Sequence, residues 1–152
     1  EVQTEPGSVF VAAAMSSLPE KERSKIATVV GEISDHLQTC NLRAMHFTRT
    51  RAPYDPAQEA RLKSLAAVAR AEIVVILYTH NVGSSMLIEA GAALAQRKKI
   101  VLIAKYDLDL PFLLRNLPSD SSTTELYRKL DELPALVASR CKHLHGQPLP
   151  SP

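Results

Sequence analysis

Two apolar runs, residues 73–77 (IVVIL) and 100–104 (IVLIA), constrain this chain most. A continuous apolar run of about 4–8 residues bounded by turn signals predicts a strand buried on both faces. Two such runs separated by a helix-length segment predict parallel strands joined by a crossover helix. The segment between them reads YTHNVGSSMLIEAGAALAQRKK, a polar turn followed by a helix rich in small residues. The same alternation continues upstream. Residues 9–14 predict a strand, and residues 20–38 a helix whose Ile26, Val29, Val30, Ile33 and Leu37 share one face. Ser17 stands near the cap of that helix and Pro19 in its first turn. Residues 42–47 predict a second strand, and residues 57–71 a second helix with Leu62, Leu65 and Ala69 on one face. Downstream come a short apolar piece at 112–114, a polar loop at 119–124 and a helix over 125–140. The last is read from Leu126, Leu130, Leu133 and Val137, with Pro134 expected to kink it or end it early. This order predicts a small doubly wound, mainly parallel α/β sheet flanked by helices, a flavodoxin-type three-layer sandwich.

Composition bounds the function. At 152 residues the chain is one domain's length, with 45% hydrophobic and 22% charged residues. A net charge of +2 with scattered Lys and Arg argues against a nucleic-acid partner. The cationic trio Arg97-Lys98-Lys99 follows a helix, where positive charge suits the dipole. Cys40 and Cys141 form neither a metal pattern nor a disulfide framework and are expected as reduced thiols. His36, His46, His143 and His145 show no ligand spacing with any Cys or acid, so no metal is expected. No run reaches the ~18 apolar residues of a membrane span, and no secretory leader is visible, so a cytoplasmic location is expected. The polar start EVQTEPGS, without an initiator methionine, reads as a linker and suggests a domain cut from a longer chain. The expected organisation is a linker over 1–8, an α/β domain over 9–142 and a disordered tail over 143–152.

Open α/β sheets bind ligands beyond the carboxyl ends of their strands. The turn after residues 73–77 lies there, and the helix after it offers unsatisfied amides at Ser85 to Leu87, an anion site to which the Ser84 and Ser85 hydroxyls add capacity. Glu89 follows about one turn in. From there a carboxylate reaches the sugar of a nucleotide lying across the strand ends, and a carboxylate at an anomeric carbon can act as nucleophile or steady an oxocarbenium-like transition state. The other reading of Glu89 is an acid that stabilises the helix macrodipole. Gly91, Ala92 and Ala93 are expected to let this helix lie close to the sheet. Ala13, Ala14, Ser16 and Ser17 would line the crevice from the first strand, with Ser16 and Ser17 either on phosphate or plainly capping. His80 and Asn81 could donate to a ribose or leaving group, or be a solvated turn. Tyr54 and Asp55 could form a lid that stacks on a base, with Arg49 and Arg51 on phosphates, or be a solvated loop. Asp107 and Asp109 read as a surface turn.

The stretch SSMLIEAGAALAQRKKIVLI resembles the signature of the nucleoside 2-deoxyribosyltransferase-like fold. In that family a Ser-, Thr- or Gly-bearing loop leads to a Glu-x-Gly-x-Ala helix whose Glu is the nucleophile or contacts the anomeric centre. The stretch also resembles TIR-like domains, in which a Glu about five residues after a Ser serves NAD⁺ glycosidic cleavage, the spacing of Ser84 and Glu89. The specific motifs span residues 71–103. The chain departs from the transferase pattern in having Ser64 near the place where an Asp handles the base, and Glu72 where an Asp often opens the strand. It departs from the monophosphate glycosidases in having no Arg in its first loop.

The resemblance implies an N-glycosidase cleaving the ribosyl–base bond of a nucleotide, most directly NAD⁺, with Glu89 catalytic. NAD⁺ would then be substrate, and no cofactor is implied. Alternatives are a nucleoside 5′-monophosphate N-glycosidase or deoxyribosyltransferase, and a non-catalytic nucleotide-sensing or signalling module. A homo-oligomeric defence effector fused to a longer chain is the TIR-like form of the expectation.

Overall fold

The computed structural model describes residues 3–14, 18–45, 57–80 and 84–148, and the side chains at 57–61, 84 and 85 lie outside that description. Among the described residues, five parallel strands stand in the order β2-β1-β3-β4-β5. They are β1 Ser8–Ala13, β2 Arg43–Met45, β3 Ile73–Tyr78, β4 Lys99–Lys105 and β5 Ser122–Tyr127. The helices are α1 Glu20–Thr39, α2 Ala57–Arg70, α3 Ser84–Ala95, α4 Phe112–Arg115 and α5 Leu133–His145. The expected three-layer α/β sandwich is the architecture found.

Burial explains why the apolar runs became strands. Every residue of β3 is buried, so its side chains feed both faces of the sheet. Val75 and Leu77 join Ile26, Ile33 and Leu37 of α1 and Val137 and Cys141 of α5 in one core. Val74 and Ile76 join Ala67 and Val68 of α2 and Met86, Ala90 and Ala93 of α3 in the other. A fully buried Ile or Leu contributes roughly 1.5–3 kcal/mol over an exposed one, so a strand buried on both faces sits at the centre of the sheet. The predicted apolar face of α1 is the observed one: Ile26, Val29, Val30, Ile33 and Leu37 are its buried residues. Pro19 is the N-cap residue of α1, two positions after the expected cap Ser17, which lies outside the described residues. Without a side-chain cap bond, the α1 N-terminus has Glu20 and Glu22 to oppose its dipole.

The expected helix over 125–140 is a correction. Residues Ser122–Tyr127 form a fifth strand, paired parallel with β4 from Ile100↔Ser122 to Lys105↔Tyr127. Leu126, Leu130, Leu133 and Val137 fall at helical spacing, but Leu126 is exposed and only Leu133 and Val137 are buried. An edge strand needs little apolar content, and Thr123, Thr124 and Tyr127 supply β propensity instead. Pro134 neither kinks nor ends a helix. It sits in the first turn of α5, where a missing N–H costs nothing. That helix continues through His145, past the boundary expected at 142.

Candidate functional site

The sheet order places a topological switch between β1 and β3. These strands are neighbours, in register from Val9↔Ile73 to Ala13↔Leu77. The chain leaves β1 toward α1 on one face and leaves β3 toward α3 on the other. The carboxyl ends therefore diverge around a crevice, where open α/β sheets bind ligands. Helix α3 packs on both β1 and β3 and spans this crevice.

Glu89 is the sixth residue of α3 and is half-buried. The helix presses Met86, Ala90 and Ala93 against the sheet, each at most 2% exposed. Glu89 flanks that stripe, three residues after Met86 and beside Ala90, so it leaves the buried face at the side rather than pointing to solvent. The expected role of Gly91 in close packing is corrected. A Cβ at Gly91 would meet nothing within 4 Å, and the close approach belongs to Ala90 and Ala93.

Ala13 ends β1 and Ala14 follows it, both half-buried, on one rim of the crevice. His80 follows β3 on the other rim, its Nδ1 2.9 Å from Thr79 Oγ1. Burial holds the His80 ring below its usual 6.5, so it is neutral at pH 7 and offers a hydrogen bond rather than a charge. Ser84 and Ser85 open the first turn of α3, the end of a helix at which backbone amides lack intrahelical partners. The roles expected for their hydroxyls fall outside the described residues. So do those of Ser16, Ser17, Tyr54 and Asn81, and of Arg49, Arg51 and Asp55.

Other ionisable groups are placed away from the crevice. Glu72 precedes β3, at the opposite end of the sheet from Glu89, so it cannot take the base-handling place of the transferase pattern. Lys98 and Lys99 are not dipole-facing surface cations. They are 7% and 5% exposed, and Lys98 Nζ donates to the Ala69 carbonyl at 2.7 Å and to Thr4 Oγ1 at 2.8 Å. Periodicity hid this, because charged residues score as surface wherever they fall. Asp107 is a turn residue, 3.8 Å from Lys105 Nζ. Among the described residues no group of three metal-binding side chains is assembled, and no helix is long and apolar enough to cross a membrane.

A cavity of about 290 Å³ opens on the α1 face of the sheet, at the carboxyl ends of β3, β4 and β5. Thr79 and His80 form one wall, Lys105 and Tyr127 another, and Glu22 and Ile26 of α1 a third. Glu89 does not line it. No sequence signal marked it, because Tyr127 was read as part of a helix.

No family model and no curated protein matches the sequence. Among solved structures the fold is similar to that of the CMP N-glycosidase BcmB of Clostridium botulinum, with a TM-score of 0.64 and 19% sequence identity. The match covers 88% of this chain and 98% of that one. The likeness is one of architecture, a parallel α/β sheet with flanking helices.

Proposed function

We propose that this protein is an N-glycosidase that cleaves the ribosyl–base bond of a nucleotide, with Glu89 at the anomeric carbon and NAD⁺ as substrate. One observation carries the reading: Glu89 stands half-buried on α3 over the β1–β3 switch, in a fold shared with a nucleotide N-glycosidase. As the C1′–N bond lengthens, its electron pair leaves with the base and positive charge builds on C1′ and the ring oxygen. The Glu89 carboxylate stabilises that charge or bonds to C1′, and water then completes the hydrolysis. The α3 amides and the turn after β3 hold phosphate and ribose, and Ala13 and Ala14 leave room beside them.

The choice of NAD⁺ rests on proton demand. Nicotinamide is cationic in NAD⁺ and leaves neutral, so it needs no general acid. Cytosine must be protonated as it leaves. The segment RLKSLAAVARAE, where the transferase pattern has its Asp, carries Ser64 near that place and no Asp. The fold's likeness to a CMP N-glycosidase favours the second reading, a nucleoside 5′-monophosphate substrate. The test is incubation with NAD⁺ and separately with CMP, with chromatography for free base. Release from NAD⁺ that is lost in Glu89→Gln supports the first reading, and release from CMP alone supports the second. Equal release by Glu89→Gln and wild type overturns both. The homo-oligomer and the cytoplasmic, defence-effector setting belong to the same proposal. Specific activity rising with protein concentration is the sign expected of an assembled active form.

A further inference from the structure

We propose that strand β5 is a dimer interface: it pairs antiparallel, edge to edge, with β5 of a second copy of this chain and joins two sheets into one. The proposal rests on the homo-oligomer of the reading above and deepens it by naming the surface.

Two strands end the sheet, β2 and β5. An open edge presents a row of unpaired N–H and C=O groups, and native proteins blunt it with a short strand, a proline, a lysine or a bulge. β2 is blunted by its length, with only Arg43–Met45 in it. β5 is not blunted in these ways. It runs over the six residues Ser122–Tyr127, holds neither proline nor lysine, and keeps an unbroken register with β4. Its one charge, Glu125, is neutralised by Arg140 Nη2 at 2.6 Å.

The hydrogen bonds to β4 show which groups face outward. The carbonyls of Ser121 and Tyr127 accept the amides of Ile100 and Tyr106. Backbone direction alternates along a strand, so Thr123 and Glu125 also turn to β4, while Ser122, Thr124 and Leu126 turn their N–H and C=O groups to the open edge. The side chains of these three residues share one face. They pair with Ile100, Leu102 and Ala104, which belong to the core beneath α2 and α3. Thr124 is exposed there, and Leu126 is 60% exposed.

The three outward residues set a register with a second copy. Thr124 stands opposite Thr124 of the second copy on a two-fold axis, and Ser122 stands opposite Leu126 on either side of it. Each such pair exchanges both backbone hydrogen bonds, about six in all. The Leu126 side chain then lies against Ser122 and Thr124 of the second copy and gains the cover it lacks. The same register carries Arg128, just past the end of one strand, to Asp120, just before the start of the other, and both are exposed. Arg128 stacks over the Tyr106 ring, 4.3 Å from its centroid, which leaves the N–H edge of the guanidinium for that carboxylate. Sliding the strands by two residues sets Glu125 against Glu125, and like charges directly opposite are destabilising. Threonines on the axis and opposite charges at the two ends make the edge complementary to itself, which favours a second copy over an unrelated strand. β4 stands between β5 and β3, so the Glu89 crevice of each copy stays open.

The experiment is sedimentation of the full chain from roughly 1 μM to roughly 1 mM, with amide hydrogen exchange at both ends of that range. A monomer–dimer equilibrium is expected, and the amides of Thr124 and Leu126 should gain about tenfold protection as the dimer forms. Those of Thr123 and Glu125, already bonded to β4, should not change with concentration. Thr124→Lys, at an exposed position, sets two like charges on the axis and should weaken the dimer about tenfold or more. Arg128→Asp and Asp120→Arg should each weaken it about tenfold, and the double exchange should restore it. A chain that stays monomeric throughout, a dimer indifferent to Thr124→Lys, or a double exchange that restores nothing overturns the proposal. An oligomer held through another surface overturns it too, while leaving the oligomer of the glycosidase reading in place. Base release is not a readout here, so Glu89 and the β5 edge can fail separately.

Discussion

Lys99 Nζ lies 3.1 Å from a Glu72 carboxylate oxygen, with the two side chains only 7% and 12% exposed. The same carboxylate accepts the Gly7 amide at 2.7 Å and stands 2.9 Å from His145 Nδ1. Lys99 also donates to the Gln147 carbonyl at 2.6 Å. One carboxylate thus ties the entry to β1, the start of β4 and the end of α5. It does so at the amino end of the sheet, while the candidate crevice occupies the carboxyl end. A change at this cluster can therefore alter stability without touching Glu89.

This cluster makes stability pH-dependent. Burial alone would raise the Glu72 pKa, but the Gly7 amide, His145 and Lys99 outweigh it and hold it below the usual 4.5. A depressed carboxyl stabilises the fold above its unfolded-state value, and that contribution fades as pH falls through the folded one. Urea unfolding should show full stability from Glu72 at pH 6–7 and a loss that begins below about 4.5. Glu72→Gln leaves Lys99 buried without its charge partner and should cost about 3 kcal/mol at pH 7. The gap between the two proteins should narrow toward pH 3; a gap that stays constant means that Glu72 does not titrate in this role.

Gly91 lies inside α3 with open space where a side chain would begin. Gly91→Ala should therefore raise stability by about 0.5–1 kcal/mol through helix propensity alone. Base release should be unchanged by the same substitution. A loss of activity would mean that the glycine of the Glu-x-Gly motif serves the ligand rather than the helix.

Much of the architecture was legible because strands buried on both faces must be apolar throughout, and residues 73–77 and 100–104 are. The helix face of α1 was legible for the same reason, through its 3.6-residue period. β5 was not, since an edge strand tolerates Thr, Glu and an exposed Leu126, and its leucines fell by chance at helical spacing. The crevice was legible from strand–turn–helix order, and the motif supplies the expectation at Glu89. The cavity beneath α1 was not, because Lys25, Lys105 and Tyr127 come from three distant segments that only the sheet order brings together. Lys98 and Lys99 were misplaced for a related reason: their burial depends on partners from far along the chain, Thr4, Ala69, Glu72 and Gln147.

The two cysteines should differ sharply in reactivity. Burial, with smaller contributions from Cys40 and Glu72, pushes the Cys141 thiol up to about 12, and its side chain is 0% exposed. The thiolate is the reactive form, so Cys141 should be inert in the folded protein. Cys40, partly exposed after α1, should react. A chromogenic thiol reagent should titrate one equivalent natively and two in denaturant, and Cys40→Ser should remove the native one. Two fast native equivalents would contradict the burial of α5 against the sheet.

Position and chemistry at Glu89 can be separated with its neighbour. Ala90 is 0% exposed against the sheet, so Ala90→Leu must push α3 outward. Overpacking of this kind should cost about 1–3 kcal/mol. A displacement of about 1 Å at a reacting group can lower turnover on the order of 100-fold, so Ala90→Leu should lose activity out of proportion to its stability loss. Glu89→Gln keeps the helix seated and removes only the charge. Its unfolding midpoint should stay within about 1 kcal/mol of wild type, while base release falls on the order of 1,000-fold. If Ala90→Leu is destabilised but fully active, the seating of α3 does not govern the reaction, and the carboxylate that meets C1′ must be sought elsewhere.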